Sequence, residues 1–195
     1  IFADGADLEN IKNLCKNPII KGFTTNPSLM KKKGIVDYKN FALDVLKITE
    51  NKPVSFEIFA DDLIEMESQA NEIASWGKNV NVKIPITNTK GESTVSLIEK
   101  LSNSKIVCNV TAILTLEQLK SVVQVLNSSV PTILSIFAGR IADTGVDPMT
   151  VMKKAVEIAK SKPMSNILWA STREVYNVFE AERAGCQIIT VPHDI

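Results

Sequence analysis

Val80-Asn81-Val82-Lys83-Ile84-Pro85 is a run of mostly aliphatic residues with one amine inside it. Side chains alternate between the two faces of a strand, so the three aliphatic residues share one face while Asn81 and Lys83 share the other. Desolvation is costly for an ammonium group and favours the neutral amine, which is the form that attacks a carbonyl carbon. Two interpretations remain open here: a reactive lysine, or a lysine whose stem packs while its head reaches water.

Short apolar segments of this kind recur along the chain, with segments of helical period between them. The predicted strands are Ile1–Asp4, Gly22–Asn26, Val54–Phe59, Val80–Ile84, Ile106–Thr111, Thr132–Ala138, Ile167–Ser171 and Gln187–Val191. The predicted helices are Leu8–Lys16, Tyr38–Thr49, Leu63–Trp76, Ser93–Leu101, Leu116–Leu126, Pro148–Ser161 and Arg173–Ala184. Strands that alternate with helices predict an α/β fold, a (β/α)8 TIM barrel made by a single domain over residues 1–195. A doubly wound open sheet is the alternative, but no glycine-rich phosphate fingerprint follows the first strand.

The end of the chain leaves no room for an eighth helix after the last predicted strand. We therefore expect the last helix to be missing from this chain, with either further chain or another subunit covering that side of the barrel. The second possibility leads us to expect a homo-oligomer.

Composition excludes several classes of partner. The 22 basic residues equal the 22 acidic ones, so we expect no nucleic-acid partner. No apolar segment approaches the ~20 residues of a spanning helix, so we expect no membrane partner. Three cysteines without CxxC spacing are typical of a reducing compartment and predict a cytoplasmic location. With His193 as the single histidine, we expect no metal site and assign His193 no catalytic role.

Polar residues occupy the non-aliphatic face near the carboxyl ends of seven predicted strands. Glu57, for example, is predicted to lie on the opposite face of its strand from Phe56 and Ile58, because side chains alternate between the two faces. In a barrel the aliphatic face packs against the helices, so the polar residues are predicted to point inward, at the end where barrel enzymes hold their active sites. The same alternation predicts that Trp169 points inward with Ser171. The inward polar set is Asp4, Asn26, Glu57, Lys83, Asn109, Thr111, Ser135 and Ser171.

Burying so many polar groups without a function is costly, and the set divides by chemistry. Lys83 can form an imine with a carbonyl substrate. Asp4 and Glu57 can move protons while a carbon–carbon bond breaks and forms again. Amides and hydroxyls can hold substrate hydroxyls and an ordered water. Arg140 and Arg173 follow the sixth and seventh strands, where barrels often bind phosphate.

Several segments together resemble the transaldolase family, in the same order and over essentially the whole chain. They are Phe2-Ala3-Asp4, Gly22-Phe23-Thr24-Thr25-Asn26-Pro27-Ser28-Leu29, Val82-Lys83-Ile84-Pro85, Asn109-Val110-Thr111-Ala112, Ser135-Ile136-Phe137-Ala138-Gly139-Arg140-Ile141 and Trp169-Ala170-Ser171-Thr172-Arg173. The length resembles the short branch of the family, which also contains the fructose-6-phosphate aldolases.

The resemblance implies a role for each matching residue. Lys83 matches the Schiff-base lysine, and Asp4 matches the carboxylate that accepts or returns the hydroxyl proton. Glu57 matches an acid/base that works through a water held with help from Thr111. Among the implied substrate-binding residues, Asn26 and Asn109 match the amides that bind substrate hydroxyls and the imine region. The residues that match the phosphate-binding set are Ser135, Arg140, Ser171 and Arg173, and Phe137 matches an aromatic residue beside that set. Phosphorylated sugars are the implied partners, and no metal or organic cofactor is implied.

Two positions favour one branch of the family. The aldolase branch typically has Gln where Glu57 stands and Tyr where Phe137 stands. The resemblance therefore implies a transaldolase that moves a dihydroxyacetone unit between sugar phosphates in the non-oxidative pentose phosphate pathway. The alternatives are a fructose-6-phosphate aldolase, which releases free dihydroxyacetone, and a barrel that binds sugar phosphates without turnover.

Two departures from the family pattern bear on substrate size. Ala142 interrupts the family's Arg-Ile-Asp run, and Trp169 is bulkier than expected beside the phosphate site. Neither removes a chemical group, but both are expected to shift the substrate size preference.

Overall fold

Eight parallel strands close into a barrel, each pairing with the next in sequence until the eighth pairs with the first. The computed structural model describes residues 1–195. The strands are β1 (Phe2–Asp4), β2 (Gly22–Thr24), β3 (Val54–Glu57), β4 (Val80–Pro85), β5 (Cys108–Ile113), β6 (Thr132–Ile136), β7 (Ser165–Trp169) and β8 (Ile188–Pro192). The predicted (β/α)8 barrel is confirmed, with strand boundaries that differ by up to two residues.

Helices surround the barrel and form the crossovers between successive strands. They are α1 (Leu8–Cys15), α2 (Pro27–Lys32), α3 (Tyr38–Thr49), α4 (Leu63–Ala74), α5 (Val95–Asn103), α6 (Leu116–Val125), α7 (Ala138–Asp143), α8 (Pro148–Ala159) and α9 (Tyr176–Ala184). The sequence did not predict α2 and α7, because six residues are too few to show a helical period. No helix is both long enough and apolar enough to cross a membrane.

Polar side chains start most of the longer helices. Those of Asp7, Asp37, Asp62, Thr115 and Asp147 each accept a hydrogen bond from a backbone amide in the first turn of the following helix. Such caps satisfy amides that have no partner within the helix, typically worth about 1 kcal/mol each. Short loops can therefore lead directly from the strand ends into stable helices.

The register of the sheet decides which residues face the barrel interior. Glu57 on β3 lies opposite Lys83 on β4, which in turn lies opposite Asn109 on β5. Residues opposite each other in register share a face, so these three point inward. Their neighbours Phe56 and Val82 are fully buried in the main core, on the helix side.

The inward position predicted for Trp169 is wrong. Leu168 lies opposite Ser135 in register, so Leu168 faces the interior and Trp169 faces the helices, where it is buried in the main core. Because Ile167–Ala170 is apolar throughout, alternation carries no information about its facing. The bulk of Trp169 therefore packs outside the barrel rather than beside the expected phosphate site.

An apolar cluster fills the interior beneath the polar strand ends. This apolar floor consists of Phe2, Ile133, Leu168 and Ala170, which form a cluster separate from the main core. Gly22 on β2 makes room for it, since a β-carbon there would lie 2.6 Å from the ring of Phe2. The apolar floor lies on the side of the interior formed by β1, β6 and β7.

Candidate active site

The carboxyl ends of the strands surround a cavity of about 420 Å³. Every residue singled out from the sequence as a site residue lines it, namely Asp4, Asn26, Glu57, Lys83, Asn109, Thr111, Ser135, Phe137, Arg140, Ser171 and Arg173. Parallel strands all end on one side of a barrel, which is why residues far apart in sequence meet there. The amine, the carboxylates and the guanidinium groups therefore share one space.

Lys83 stands in the wall of the cavity, paired with Glu57. Its Nζ lies 2.9 Å from Oε2 of Glu57 and donates a hydrogen bond to the backbone carbonyl oxygen of Thr25 at 3.1 Å. The side chains of Lys83 and Glu57 are only 12% and 17% exposed. Shielding from water strengthens the attraction between them.

Tyr38 supports the end of β3, from which Glu57 projects. Its hydroxyl donates to the backbone carbonyl oxygen of Glu57 at 2.9 Å, and its ring packs edge-on against Phe56 and Trp76. Burial, together with the nearby charge of Glu57, raises the pKa of Tyr38. The hydroxyl therefore remains a proton donor, which fixes the backbone at Glu57.

Asp4 has a hydrogen-bond donor on each carboxylate oxygen. The hydroxyl of Thr24 donates to Oδ1 at 2.7 Å, and Nδ2 of Asn26 donates to Oδ2 at 3.0 Å. The side-chain oxygen of Asn26 meanwhile accepts the amide hydrogen of Leu29 at 2.9 Å and so starts α2. One amide side chain thus orients Asp4 and anchors the adjacent helix.

Asn109 joins three strands across the barrel interior. Its Nδ2 donates to Oγ of Ser55 at 2.9 Å, and its Oδ1 accepts a hydrogen bond from Oγ of Ser135 at 2.6 Å. All three side chains are buried. Satisfied hydrogen bonds of this kind hold polar groups rigidly at low exposure.

Thr111 and Ala112 both line the cavity because β5 carries a β-bulge. The pairing of β5 with β6 shifts between Val110 and Ile113, and Ala112 has a left-handed φ of 59°. The buried hydroxyl of Thr111 has no hydrogen-bond partner in the protein. It is therefore free to bind a water or a substrate oxygen.

Arg173 is held at the rim of the cavity by Asp143. Nη2 of Arg173 lies 2.5 Å from Oδ2 of Asp143, and Nε lies 3.3 Å from Oδ1. This hydrogen-bonded pair lowers the pKa of Asp143 and raises that of Arg173. Arg140, on the same helix as Asp143, is exposed at the rim. Two permanently cationic groups thus border the cavity on the side of β6 and β7.

A profile of the family described as transaldolase/fructose-6-phosphate aldolase matches residues 1–195. The chain belongs to this family. A protein named probable transaldolase from Dehalococcoides mccartyi is 36% identical over 196 residues, which cover 100% of this chain and 87% of that relative. Proteins of the same name from Roseiflexus castenholzii and Methanococcus maripaludis are 34% and 32% identical, each covering 100% of this chain and 86% of the relative.

The transaldolase/fructose-6-phosphate aldolase family is the one that the sequence motifs indicate, so that recognition is confirmed. The names of the relatives support a transaldolase-like function. The family name itself covers both group transfer and aldol cleavage.

Some cavity residues of this family member were not among those singled out from the sequence. Thr24 and Thr190 both line the cavity. Alternation opposes Thr190 to Ile189 and Val191, which is the same pattern that identified the polar ends of the other strands. The pairing of Asp143 with Arg173 had no local signal, because the two residues are 30 positions apart.

A larger groove of about 880 Å³ lies at the opposite end of the barrel, between α1, α3 and the segments before β2 and β3. Two of its five lysines bind neighbouring groups: Lys52 donates to the carbonyl oxygen of Cys15 at 2.7 Å, and Lys47 pairs with Asp44. Lysines near helix carboxyl ends stabilise those ends, so this groove has a structural explanation. His193 is exposed beyond β8, and no group of three His, Cys, Asp or Glu side chains is arranged to hold a metal ion.

Proposed function

We propose that this protein is a transaldolase that carries a dihydroxyacetone unit as a Schiff base on Lys83. The donors are ketose phosphates, sedoheptulose 7-phosphate or fructose 6-phosphate, and the acceptors are aldose phosphates, glyceraldehyde 3-phosphate or erythrose 4-phosphate. The observation that carries the proposal is the shielded pair of Lys83 and Glu57, 2.9 Å apart, in a cavity that also contains Asp4.

Formation of the imine begins with a proton transfer. Glu57 accepts a proton from Lys83, directly or through a water bound at Thr111, and leaves the neutral amine. The amine adds to the carbonyl carbon of the ketose, and one proton of its nitrogen moves to the carbonyl oxygen, which becomes a hydroxyl. Glu57 then returns the proton to the hydroxyl that leaves as water, and the carbon–nitrogen double bond forms as a protonated imine.

Cleavage uses the second carboxylate. Asp4 takes the proton from the hydroxyl on the fourth carbon of the ketose, and that carbon becomes the aldehyde of the departing aldose phosphate. The electron pair of the broken carbon–carbon bond moves to the imine nitrogen and leaves an enamine on Lys83. When an acceptor aldehyde arrives, the enamine carbon bonds to it and Asp4 returns the proton to the new hydroxyl.

Charge at the rim suits phosphorylated substrates. Arg140 and Arg173 are the cations proposed to bind the phosphate, with the hydroxyl of Ser171 as an additional donor. Ser135 can join them only by releasing the hydrogen bond that it donates to Asn109. In the absence of a ligand Arg173 is neutralised by Asp143. A phosphate group therefore has to compete with this carboxylate or bind beside it.

Transfer rather than aldol cleavage requires the enamine to survive until the acceptor arrives. Phe137 lines the cavity with an apolar ring, which offers no hydroxyl to hold a water there. At positions 57 and 137 the chain has Glu and Phe, the residues that the family resemblance associates with transfer, rather than the Gln and Tyr typical of the aldolase branch. A fructose-6-phosphate aldolase is the second candidate, since the family name includes it.

The proposal extends to the cellular setting. Transfer between these sugars belongs to the non-oxidative pentose phosphate pathway. All three cysteines are free, which supports the reducing environment of the cytoplasm. The expected homo-oligomer is tested directly by light scattering on the purified protein.

The deciding experiment measures turnover of fructose 6-phosphate with and without erythrose 4-phosphate, alongside borohydride reduction in the presence of the donor. A transaldolase releases glyceraldehyde 3-phosphate only when the acceptor is present, and borohydride attaches a dihydroxyacetone-derived adduct to Lys83. Turnover without acceptor, with free dihydroxyacetone accumulating, would identify an aldolase instead. Binding without turnover or adduct would identify a non-catalytic sugar-phosphate-binding barrel.

A further inference from the structure

Two buried threonine hydroxyls connect β8 to Asp4. Oγ1 of Thr190 lies 2.6 Å from Oγ1 of Thr24, which lies 2.7 Å from Oδ1 of Asp4. Thr24 is 2% exposed and Thr190 is 9% exposed. The three side chains come from adjacent strands, since β1 pairs with both β2 and β8.

The number of available protons fixes the direction of these hydrogen bonds. An ionised carboxylate can only accept, so Thr24 donates its single hydroxyl proton to Asp4. Thr24 then has no proton left, and Thr190 must be the donor in the bond between the two hydroxyls. Each bond polarises the next, so the chain from Thr190 through Thr24 to Asp4 is stronger than its bonds would be separately.

We propose that Thr190 is a positioning residue for Asp4. The role rests on the proposed function, in which Asp4 moves the proton of a substrate hydroxyl. As long as Thr190 donates to Thr24, the proton of Thr24 stays directed at Oδ1 of Asp4. With Asn26 bound to Oδ2, rotation of the carboxylate is then restrained from both sides.

The surroundings of Thr190 favour this role. The hydroxyl of Thr172, just beyond β7, donates to the backbone carbonyl oxygen of Thr190 at 2.7 Å and so fixes β8 at this point. Thr190 has no hydrogen bond to Lys83 or Glu57. Its loss should therefore affect the step that uses Asp4 and not the formation of the imine.

The test compares Thr190→Val, which keeps the shape but removes the donor, with Thr190→Ser, which keeps the donor. Thr132→Val is the matched control, because Thr132 is 1% exposed on β6, does not line the cavity and has its hydroxyl 3.5 Å from the carbonyl oxygen of Val130. For each purified protein we would measure kcat and KM with fructose 6-phosphate and erythrose 4-phosphate. The borohydride-trapped adduct on Lys83 would be quantified by mass spectrometry.

Thr190→Val is expected to lower kcat roughly tenfold, as loss of one hydrogen bond to the positioning chain implies, with little change in KM or in the trapped adduct. Thr190→Ser should recover most of kcat, and Thr132→Val should match the unmodified protein. If Thr190→Val does not fold, Thr24→Val must show the same pattern, a lowered kcat with little change in the amount of adduct trapped on Lys83.

Unchanged kcat in folded Thr190→Val would overturn the positioning role while leaving the proposed function intact. A parallel loss of kcat and trapped adduct in both folded Thr190 variants would also overturn it, because that pattern indicates general distortion. If the unmodified protein neither turns over nor traps the donor, the proposed function fails, and the positioning role fails with it.

Discussion

A β-carbon added to Gly139 would lie 1.7 Å from the backbone carbonyl oxygen of Ser171. That distance is far inside van der Waals contact, so α7 can pack against the segment after β7 only because position 139 lacks a side chain. Ser171 itself has a left-handed φ of 64°. The contact fixes the separation between the helix that carries Arg140 and the segment that carries Arg173.

Gly139→Ala should therefore move α7 away from β7. We expect a loss of stability of roughly 1–3 kcal/mol, typical of overpacking, and a raised KM for phosphorylated substrates. Urea unfolding and steady-state kinetics measure the two effects. Gly5→Ala is the control for stability, since nothing lies within 4 Å of a β-carbon at Gly5. Equal stability of the two variants would show that the contact at Ser171 relaxes without cost.

Lys83→Ala should abolish turnover and the borohydride adduct, because no other amine in the cavity can form the imine. Circular dichroism should show that the barrel is intact. Lys100→Ala is the matched control: Lys100 also pairs with a glutamate, Glu67, but its side chain is 63% exposed. Residual turnover in Lys83→Ala would exclude Lys83 as the nucleophile.

Arg140→Ala and Arg173→Ala should each raise KM for phosphorylated substrates by roughly tenfold or more, as expected for loss of a charged hydrogen-bond donor. Because neither group takes part in proton transfer, kcat should change less than KM. Arg183→Ala provides the comparison, since Arg183 lies over the ring of Tyr176 outside the cavity. Unchanged KM in both rim variants would contradict the phosphate assignment.

Burial raises the pKa of the thiols of Cys108 and Cys186 to about 12. Because the thiolate is the reactive form, the fully buried Cys108 should resist iodoacetamide near neutral pH in the folded protein and react in urea, whereas the half-buried Cys186 should react slowly. Above the ordinary thiol value of 9.0 the unfolded chain loses protons that the folded state keeps, so stability should fall as pH rises from 9.0 towards 12. Mass spectrometry of labelled protein and urea unfolding at several pH values measure these effects. Rapid labelling of Cys108 in the folded protein would contradict its burial.

The sequence predicts the barrel because most strands alternate aliphatic and polar residues, and that alternation specifies both the strand and its inward face. The predicted inward face of β7 was wrong, because apolar residues occupy both faces of that strand. There, only the register with Ser135 shows that Leu168 points inward. The left-handed φ of Ala112, which brings both Thr111 and Ala112 to the cavity, likewise has no signature in composition.

The same limit applies to the candidate site. Its members were recognisable as polar residues at strand ends and as family motifs, and they share one cavity. Their partners were not recognisable. The hydroxyl chain from Thr190 to Asp4 and the pairing of Arg173 with Asp143 depend on contacts between distant segments, which only the folded chain creates.

The apolar floor has a kinetic consequence. Because Phe2 and its neighbours in the floor pack beneath the polar strand ends, the proposed sugar substrates are expected to reach Lys83 through the cavity at the carboxyl ends of the strands. A departing aldose phosphate and an arriving one must then use the same entrance in turn. Parallel double-reciprocal plots, the mark of a ping-pong order, are the expected result. The floor would thus leave both sugars one entrance, while the enamine that Lys83 holds between the two half-reactions would fix their order.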